Sequence, residues 1–284
     1  MRNFELLLLT YQLITTLLPI LGTIRTFPNA EPIVGHNIEL VKENELPFVV
    51  SIAKKNNNPY ADIEHLCGGT LISKKHVLTT GHCFTDRNIN NLAVYAKSYI
   101  LSSFRSSKFD IYSVMNYSEW ASNRDKIGSP VDDIAIAELN IDDTRTVATS
   151  LSSITDNKTP GMKALFAGWG ATNSGEYPMI MQKVTLTALS NKVCKKNLKA
   201  LSSSYDKFVL RNNMICFIAK PWAAAAPGDS GHAILDENLR IVGILAWSYP
   251  LPGRIFSKQI SIMIRVNHYT DFIYDIIKNN KVQD

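Results

Sequence analysis

The hydrophobic pattern changes period along the chain. A first apolar run, Leu6 to Leu21, follows the positive start Met1-Arg2 and is interrupted by Thr, Tyr and Gln. It falls short of the roughly 20 apolar residues of a membrane span. The predicted element is therefore a secretory signal peptide over 1–22, with Gly22 as the small residue at the cleavage point; a retained signal anchor is the alternative. From there short apolar or alternating runs recur: Phe48 to Ile52, Thr70 to Ile72, Ala164 to Ala167, Val184 to Leu189, Met214 to Ile218 and Ile241 to Trp247. Many short strands separated by Gly, Asn, Ser and Pro predict barrels or sandwiches. The polar stretch Asn140 to Lys158 is the expected connection between two halves. At the end the period becomes helical. Val266, Tyr269, Ile273, Ile276 and Ile277 share one face, predicting a docked amphipathic helix over about 266–278. The pattern as a whole is all-β, in two lobes, with one terminal helix and no internal repeat.

Composition adds bounds. The 284 residues suffice for a sizeable core, and 45% hydrophobic content excludes disorder. Thirty Lys+Arg against 25 Asp+Glu give a net +5, with the basic residues scattered, so neither a nucleic-acid groove nor a polybasic membrane patch is expected. Four cysteines in a secreted chain should pair, with three connectivities open.

Three segments carry chemistry. Thr80-Gly81-His82-Cys83 offers an imidazole base, Asp132-Asp133-Ile134-Ala135-Ile136 sets a carboxylate at the mouth of an apolar strand, and Gly228-Asp229-Ser230-Gly231 exposes a serine on a glycine-flanked turn. Serine is a poor nucleophile until a base takes its proton, and a buried carboxylate holds the tautomer of that base. Each piece alone is ordinary: His36, His65, His76 and His268 read as surface or structural histidines, and an aspartate before a strand can simply cap a turn. No histidine set has metal-ligand spacing, so neither a metal nor a cofactor is expected.

Together these segments resemble the chymotrypsin-fold (trypsin-like, S1) serine endopeptidases. The likeness runs from Ile33-Val34-Gly35-His36 through Cys67-Gly68-Gly69, Thr80 to Cys83, Asp133-Ile134-Ala135, Gly168-Trp169-Gly170 and Gly228 to Gly231, ending at Arg265-Val266. It implies two packed six-stranded antiparallel barrels with a cleft between them. A propeptide would cover 23–32 and the protease domain 33–284, with barrels over about 33–148 and 149–265. It also implies that His82 is general base then acid, that Asp133 orients it, and that Ser230 is the nucleophile, with the N–H groups of Gly228 and Ser230 as oxyanion hole. It pairs Cys67 with Cys83 and Cys194 with Cys216. A bridge common across the specificity pocket is missing, with Ala226 at its first position, so a looser wall is expected.

In the family the residue six before the nucleophile forms the pocket floor; here it is Ala224. Without a carboxylate there, burying a substrate cation would be costly. An apolar pocket is expected, chymotrypsin- or elastase-like, walled by Trp247, Ser248 and Ser261. Cutting before Ile33 would free an ammonium to pair with Asp229, yet Pro32 replaces the usual basic residue. Phe27-Pro28, Asn29-Ala30 and Glu31-Pro32 instead resemble propeptides trimmed by dipeptidyl peptidases, as in some venom precursors; coincidence in a short linker is the alternative. Two departures bear on catalysis: His232-Ala233 follows Gly231, and Ala246 stands where a serine commonly supports the aspartate. A non-catalytic homologue acting by binding is therefore the competing function. The expected setting is extracellular, a venom or digestive secretion, as a monomer. Protein or peptide substrates, protease inhibitors and an activating peptidase are the expected partners. Asn116 and Asn157 begin glycosylation sequons.

Overall fold

The computed structural model describes residues 37–58, 62–102, 104–124, 126, 128–129, 131–140, 146–172, 175–201, 209–219, 223, 225–249 and 259–279. The expected signal peptide and propeptide, together with Ile33, His36 and Ala224, lie outside the described residues.

Strand β1 is Glu39–Leu40. Six strands then form the first barrel: β2 (Val49–Lys54), β3 (His65–Leu71), β4 (His76–Thr79), β5 (Leu92–Ala96), β6 (Ser107–Asn116) and β7 (Ala135–Asn140). All pairs are antiparallel, and the order β2-β3-β4-β7-β6-β5 closes on itself, leaving no free edge. Strand β6 alternates as a half-buried strand should, with Phe109 and Ile111 inside and Lys108, Asp110 and Tyr112 outside. Val50, Ile52, Leu71, Leu78, Val94 and Ile136 fill the first barrel's share of the core.

The second barrel uses β8 (Lys163–Gly168), β9 (Gln182–Leu189), β10 (Met214–Ile218), β11 (Ala233–Leu235), β12 (Ile241–Tyr249) and β13 (Ile260–Arg265). The order is β9-β10-β13-β12-β11-β8 with β8 pairing back to β9, and β1 adds to the outer edge of β9. Phe166, Leu186, Phe217, Ile234 and Met263 fill the interior. The fold is thus two six-stranded antiparallel barrels, as the family resemblance implies.

Among the described residues three α-helices decorate the barrels. Helix α1 (Tyr117–Ser122) follows β6, α2 (Asn191–Leu201) follows β9, and α3 (Thr270–Asn279) ends the described chain. Helix α2 departs from the expectation of β-structure up to the terminal helix. Cys194 and Leu198, one turn apart, are buried among exposed lysines. The expected terminal helix also starts later than 266. Val266–His268 winds as a 3-10 turn, and Tyr269, at φ −124°, breaks the ladder before Thr270. From there Phe272 and Ile273 are buried, Phe272 meets Tyr117 edge-on at 5.6 Å, and the indole N–H of Trp120 donates to Asp275 at 2.7 Å. The final helix therefore rests on α1 of the first barrel, fastening the two barrels together.

Candidate active site

His82 sits in a 3-10 turn, Gly81–Cys83, directly after β4. The turn is pinned to β3 by the disulfide Cys67–Cys83. Asp133 precedes β7, held by the fully buried Ile134 behind it. Its two carboxylate oxygens take different donors: Oδ1 accepts the backbone N–H of His82 at 2.9 Å, and Oδ2 lies 2.6 Å from Nδ1 of the ring. A carboxylate that accepts from Nδ1 fixes the proton on that nitrogen and leaves the Nε2 lone pair available. The His82 side chain is 43% exposed and that of Asp133 9%, so the imidazole faces the cleft while its partner is covered.

The loop holding Asp133 is fixed by its neighbour. Asp132 accepts the hydroxyl of Tyr269 at 2.7 Å and the amide of Asn213 at 2.8 Å on Oδ1, and the backbone N–H of Ser129 at 2.9 Å on Oδ2. Asn213 belongs to the second barrel and Tyr269 to the segment before α3, so the carboxylate of one barrel is positioned in part by the other. His82, Asp133, Phe84, Asn116, Ala246 and Trp247 line a cleft of about 520 Å³. Ala246 brings no hydroxyl to Asp133, which accepts from His82 alone among the described contacts.

Ser230 lies on a turn whose flanking glycines, Gly228 (φ +94°) and Gly231 (φ +85°), occupy left-handed conformations that side chains resist. The turn is bonded on every side. Ala171 N–H reaches the Pro227 carbonyl at 2.8 Å, Asp229 N–H that of Ala226 at 3.0 Å, and Gly231 N–H that of Leu245 at 2.9 Å. Gly68 N–H donates to the Ser230 carbonyl at 2.8 Å. Gly68 adjoins Cys67, whose sulfur is bonded to Cys83, the neighbour of His82. Ser230 is thereby tied to the His82 turn through one hydrogen bond and one disulfide.

Asp229 is fully buried, its carboxylate accepting Gly170 N–H at 2.8 Å and Ala226 N–H at 2.9 Å. A Cβ on Gly170 would stand 2.1 Å from Oδ2, so this glycine gives the carboxylate its room. Burial pushes the Asp229 carboxyl up to about 7, against the pull of its two backbone donors. Among the described residues no lysine or arginine pairs with it.

Of the expected pocket residues, Ser248 and Ser261 are register partners on β12 and β13. The Ser248 hydroxyl is buried without a partner, and Ala225 and Ala226 are buried behind the serine turn. Trp247 is half-buried at the cleft. The cysteines pair as Cys67–Cys83 and Cys194–Cys216. The one grouping of close metal-type side chains among the described residues, Cys67, His82 and Cys83, has both sulfurs in the disulfide. The sequon residue Asn116 turns its amide oxygen, unpartnered, toward Gly81 inside the cleft. Asn157 is exposed, but the hydroxyl of its sequon threonine, Thr159, is buried and bonded to Thr155, Asp156 and Arg265.

Sequence reasoning missed Asp132, Asn213 and Tyr269 as supports of Asp133, and His65 as a buried neighbour of the serine turn. His65 stacks on His232 at 5.7 Å and bonds Gly228 O at 2.9 Å. Its place after a polar stretch gave no hint, since the contacts come from 163 residues away.

The family model described as Trypsin matches residues 36–273. The chain is 28% identical over 261 residues to the Trypsin of Phaedon cochleariae, covering 88% of this chain and 90% of that protein. It is 25% identical over 247 residues to the bovine (Bos taurus) Chymotrypsin-like elastase family member 1, covering 84% and 88%.

Proposed function

The chain belongs to the trypsin family of serine endopeptidases, and from that premise we propose that it cleaves peptide bonds through His82, Asp133 and Ser230 after apolar residues. The observation that carries this reading is the grip of Asp133 on both the backbone and Nδ1 of His82, which leaves Nε2 as a base. Nε2 takes the Ser230 proton as Oγ bonds to the substrate carbonyl carbon. The C=O electron pair moves to oxygen, where the N–H groups of Gly228 and Ser230 receive the negative charge. Each such donor is worth about 3–4 kcal/mol in the transition state. The tetrahedral species collapses as the imidazolium passes its proton to the leaving amine, and water then releases the acyl group by the same steps in reverse.

The absence of a carboxylate at Ala224, the position that the family resemblance makes the pocket floor, together with the buried alanines 225 and 226 and the small serines 248 and 261 facing each other in register, supports small or apolar residues before the cut bond. Maturation to Ile33 is proposed for the same physical reason that raises the Asp229 carboxyl: an inserted ammonium would neutralise a buried charge that otherwise has only N–H partners. The protein would work outside the cell, after loss of the 1–22 leader and stepwise or other trimming of 23–32, on protein or peptide substrates and under protease inhibitors. Asn116 and Asn157 remain glycan candidates, with Asn157 the better exposed.

Secreted protein whose N-terminus has been sequenced, assayed on peptides differing only before the cut bond, tests this reading. Ile33 as first residue, with Leu, Phe or Ala cleaved at least tenfold better than Arg, is expected. Best cleavage after Arg would refute the pocket assignment, and full activity from another N-terminus would refute the Ile33–Asp229 pairing.

A further inference from the structure

His232 has no part in the proton transfers above, yet it is among the most completely enclosed polar residues of the described chain, at 0% exposure. Its ring occupies space that exists because residues 68 and 168 are glycines: a Cβ there would lie 2.2 and 2.7 Å from ring atoms. It stacks on His65 (5.7 Å, 28°), leans on Trp169 (5.7 Å, 45°) and meets Phe166 edge-on (6.3 Å, 85°). Its orientation is thus fixed from several sides.

Nδ1 of this ring lies 3.1 Å from the Asp229 carbonyl, which also accepts the His232 backbone N–H at 3.1 Å. A carbonyl can only accept, so Nδ1 carries the proton. The Asp229 carbonyl shares its planar peptide unit with the Ser230 N–H. In a trans peptide the two groups point in opposite directions. Drawing the carbonyl to His232 therefore turns the Ser230 N–H away from the core. The other oxyanion donor is treated alike but by backbone alone: Ala171 N–H holds the Pro227 carbonyl at 2.8 Å, opposite the N–H of Gly228. Between the two planes, His65 Nε2 holds the Gly228 carbonyl at 2.9 Å while its Nδ1 accepts from Ser51 at 2.7 Å. The stacked imidazoles thus grip the carbonyls of consecutive residues, 228 and 229.

On the reading of Ser230 as nucleophile, we propose that His232 is a positioning residue of the oxyanion hole, its Nδ1–H aiming the Ser230 N–H at the developing negative charge. Nε2 of His232 is buried without a partner, a cost that leucine at this position would avoid. The imidazole is explained by the bond its other nitrogen makes. Burial and the neighbouring His65 hold its ionisation down to about 3, so the ring is neutral, with one proton to give, throughout the working range.

Three replacements separate positioning from packing. Asn places an amide N–H near the Nδ1 position, Gln near Nε2, and Leu nowhere. Removing a donor outright costs about 10²–10³ in kcat. Misaiming one should cost part of that, and only in the transition state. H232L and H232Q are expected to lose tenfold or more in kcat with KM within threefold, and H232N to keep at least a third of the wild-type kcat. A peptide boronic acid, which forms a tetrahedral adduct on Ser230, should lose affinity in step with kcat. Unchanged kcat in H232L, or equal losses in H232N and H232L with KM moving alongside, would overturn the proposal. Should H232L not fold, as judged by its thermal transition, the Asn–Gln comparison decides. Wild-type turnover that survives in S230A would instead overturn the serine mechanism on which the proposal rests.

Discussion

Asp133→Asn is the sharpest probe of the His82–Asp133 pair. The change is isosteric at a side chain only 9% exposed, so packing is nearly conserved. Its charge is not, because a carboxylate becomes a neutral amide. The oxygen that now lies 2.6 Å from Nδ1 is a charged acceptor. With Asn, the amide N–H₂ can turn to that position while the amide oxygen keeps the His82 backbone N–H, now 2.9 Å from Oδ1. An N–H facing Nδ1 makes Nδ1 the acceptor and moves the ring proton to Nε2, where it blocks the base. The variant loses a charge-assisted bond of about 1.5–3 kcal/mol, and must also restore the reactive tautomer before reacting. Together these correspond to roughly 10³–10⁴ in kcat. The assay is steady-state hydrolysis of an apolar peptide substrate, with enzyme concentration taken from protein mass rather than labelling. A D133N enzyme within tenfold of wild type at neutral pH, folded with the same thermal midpoint, would show that the Asp133 contact does not set the His82 tautomer.

The buried cluster predicts a pH signature of stability. His65 and His232 are held down to about 4 and about 3, so between pH 6.5 and 4 each takes up a proton only on unfolding, and stability falls as pH falls. In the uncleaved chain Asp229, pushed up to about 7, opposes them: its folded state holds the proton, and that contribution is lost as pH rises through about 7. Replacing His232 by Asn removes one uptake. In urea titrations the stability of wild type should therefore decline on acidification by about 1 kcal/mol more per pH unit than that of H232N; parallel curves would contradict the assignment. Gly170→Ala should displace the Asp229 carboxylate, because its Cβ would stand 2.1 Å from Oδ2. We expect a loss of about 1–3 kcal/mol in stability and at least tenfold in kcat; an enzyme with wild-type kcat and thermal midpoint would refute the tight fit.

Much of this molecule was legible in its sequence, for identifiable reasons. Met214 to Ile218 and Ile241 to Trp247 are apolar runs bounded by turns, and they are strands at those places, β12 running on to Tyr249. The residues nominated as base and orienting carboxylate are brought within hydrogen-bond distance because each abuts a buried strand end. Helix α2 was hidden by its lysines, since the buried Cys194 and Leu198 stand among too many polar residues to register as periodicity. The alternation in β6 was present but sits among loop-like polar residues. What sequence could not supply was convergence. Tyr269 and Asn213 meet Asp132 across 137 and 81 residues, and His65 and His232 meet across the barrel interface. His232 reads in sequence as a departure from the family pattern that loosens the site; in the fold it bonds the carbonyl behind the Ser230 N–H.

In the proposed mechanism His82 and Asp133 activate Ser230 as a nucleophile. Fluorophosphonate labelling of the secreted protein, verified to begin at Ile33, followed by peptide mapping, tests it most directly. A single covalent adduct on Ser230 is expected, abolished in S230A and slowed at least a hundredfold in D133N. An unlabelled wild-type protein, or an adduct on any other residue with Ser230 intact, would contradict it.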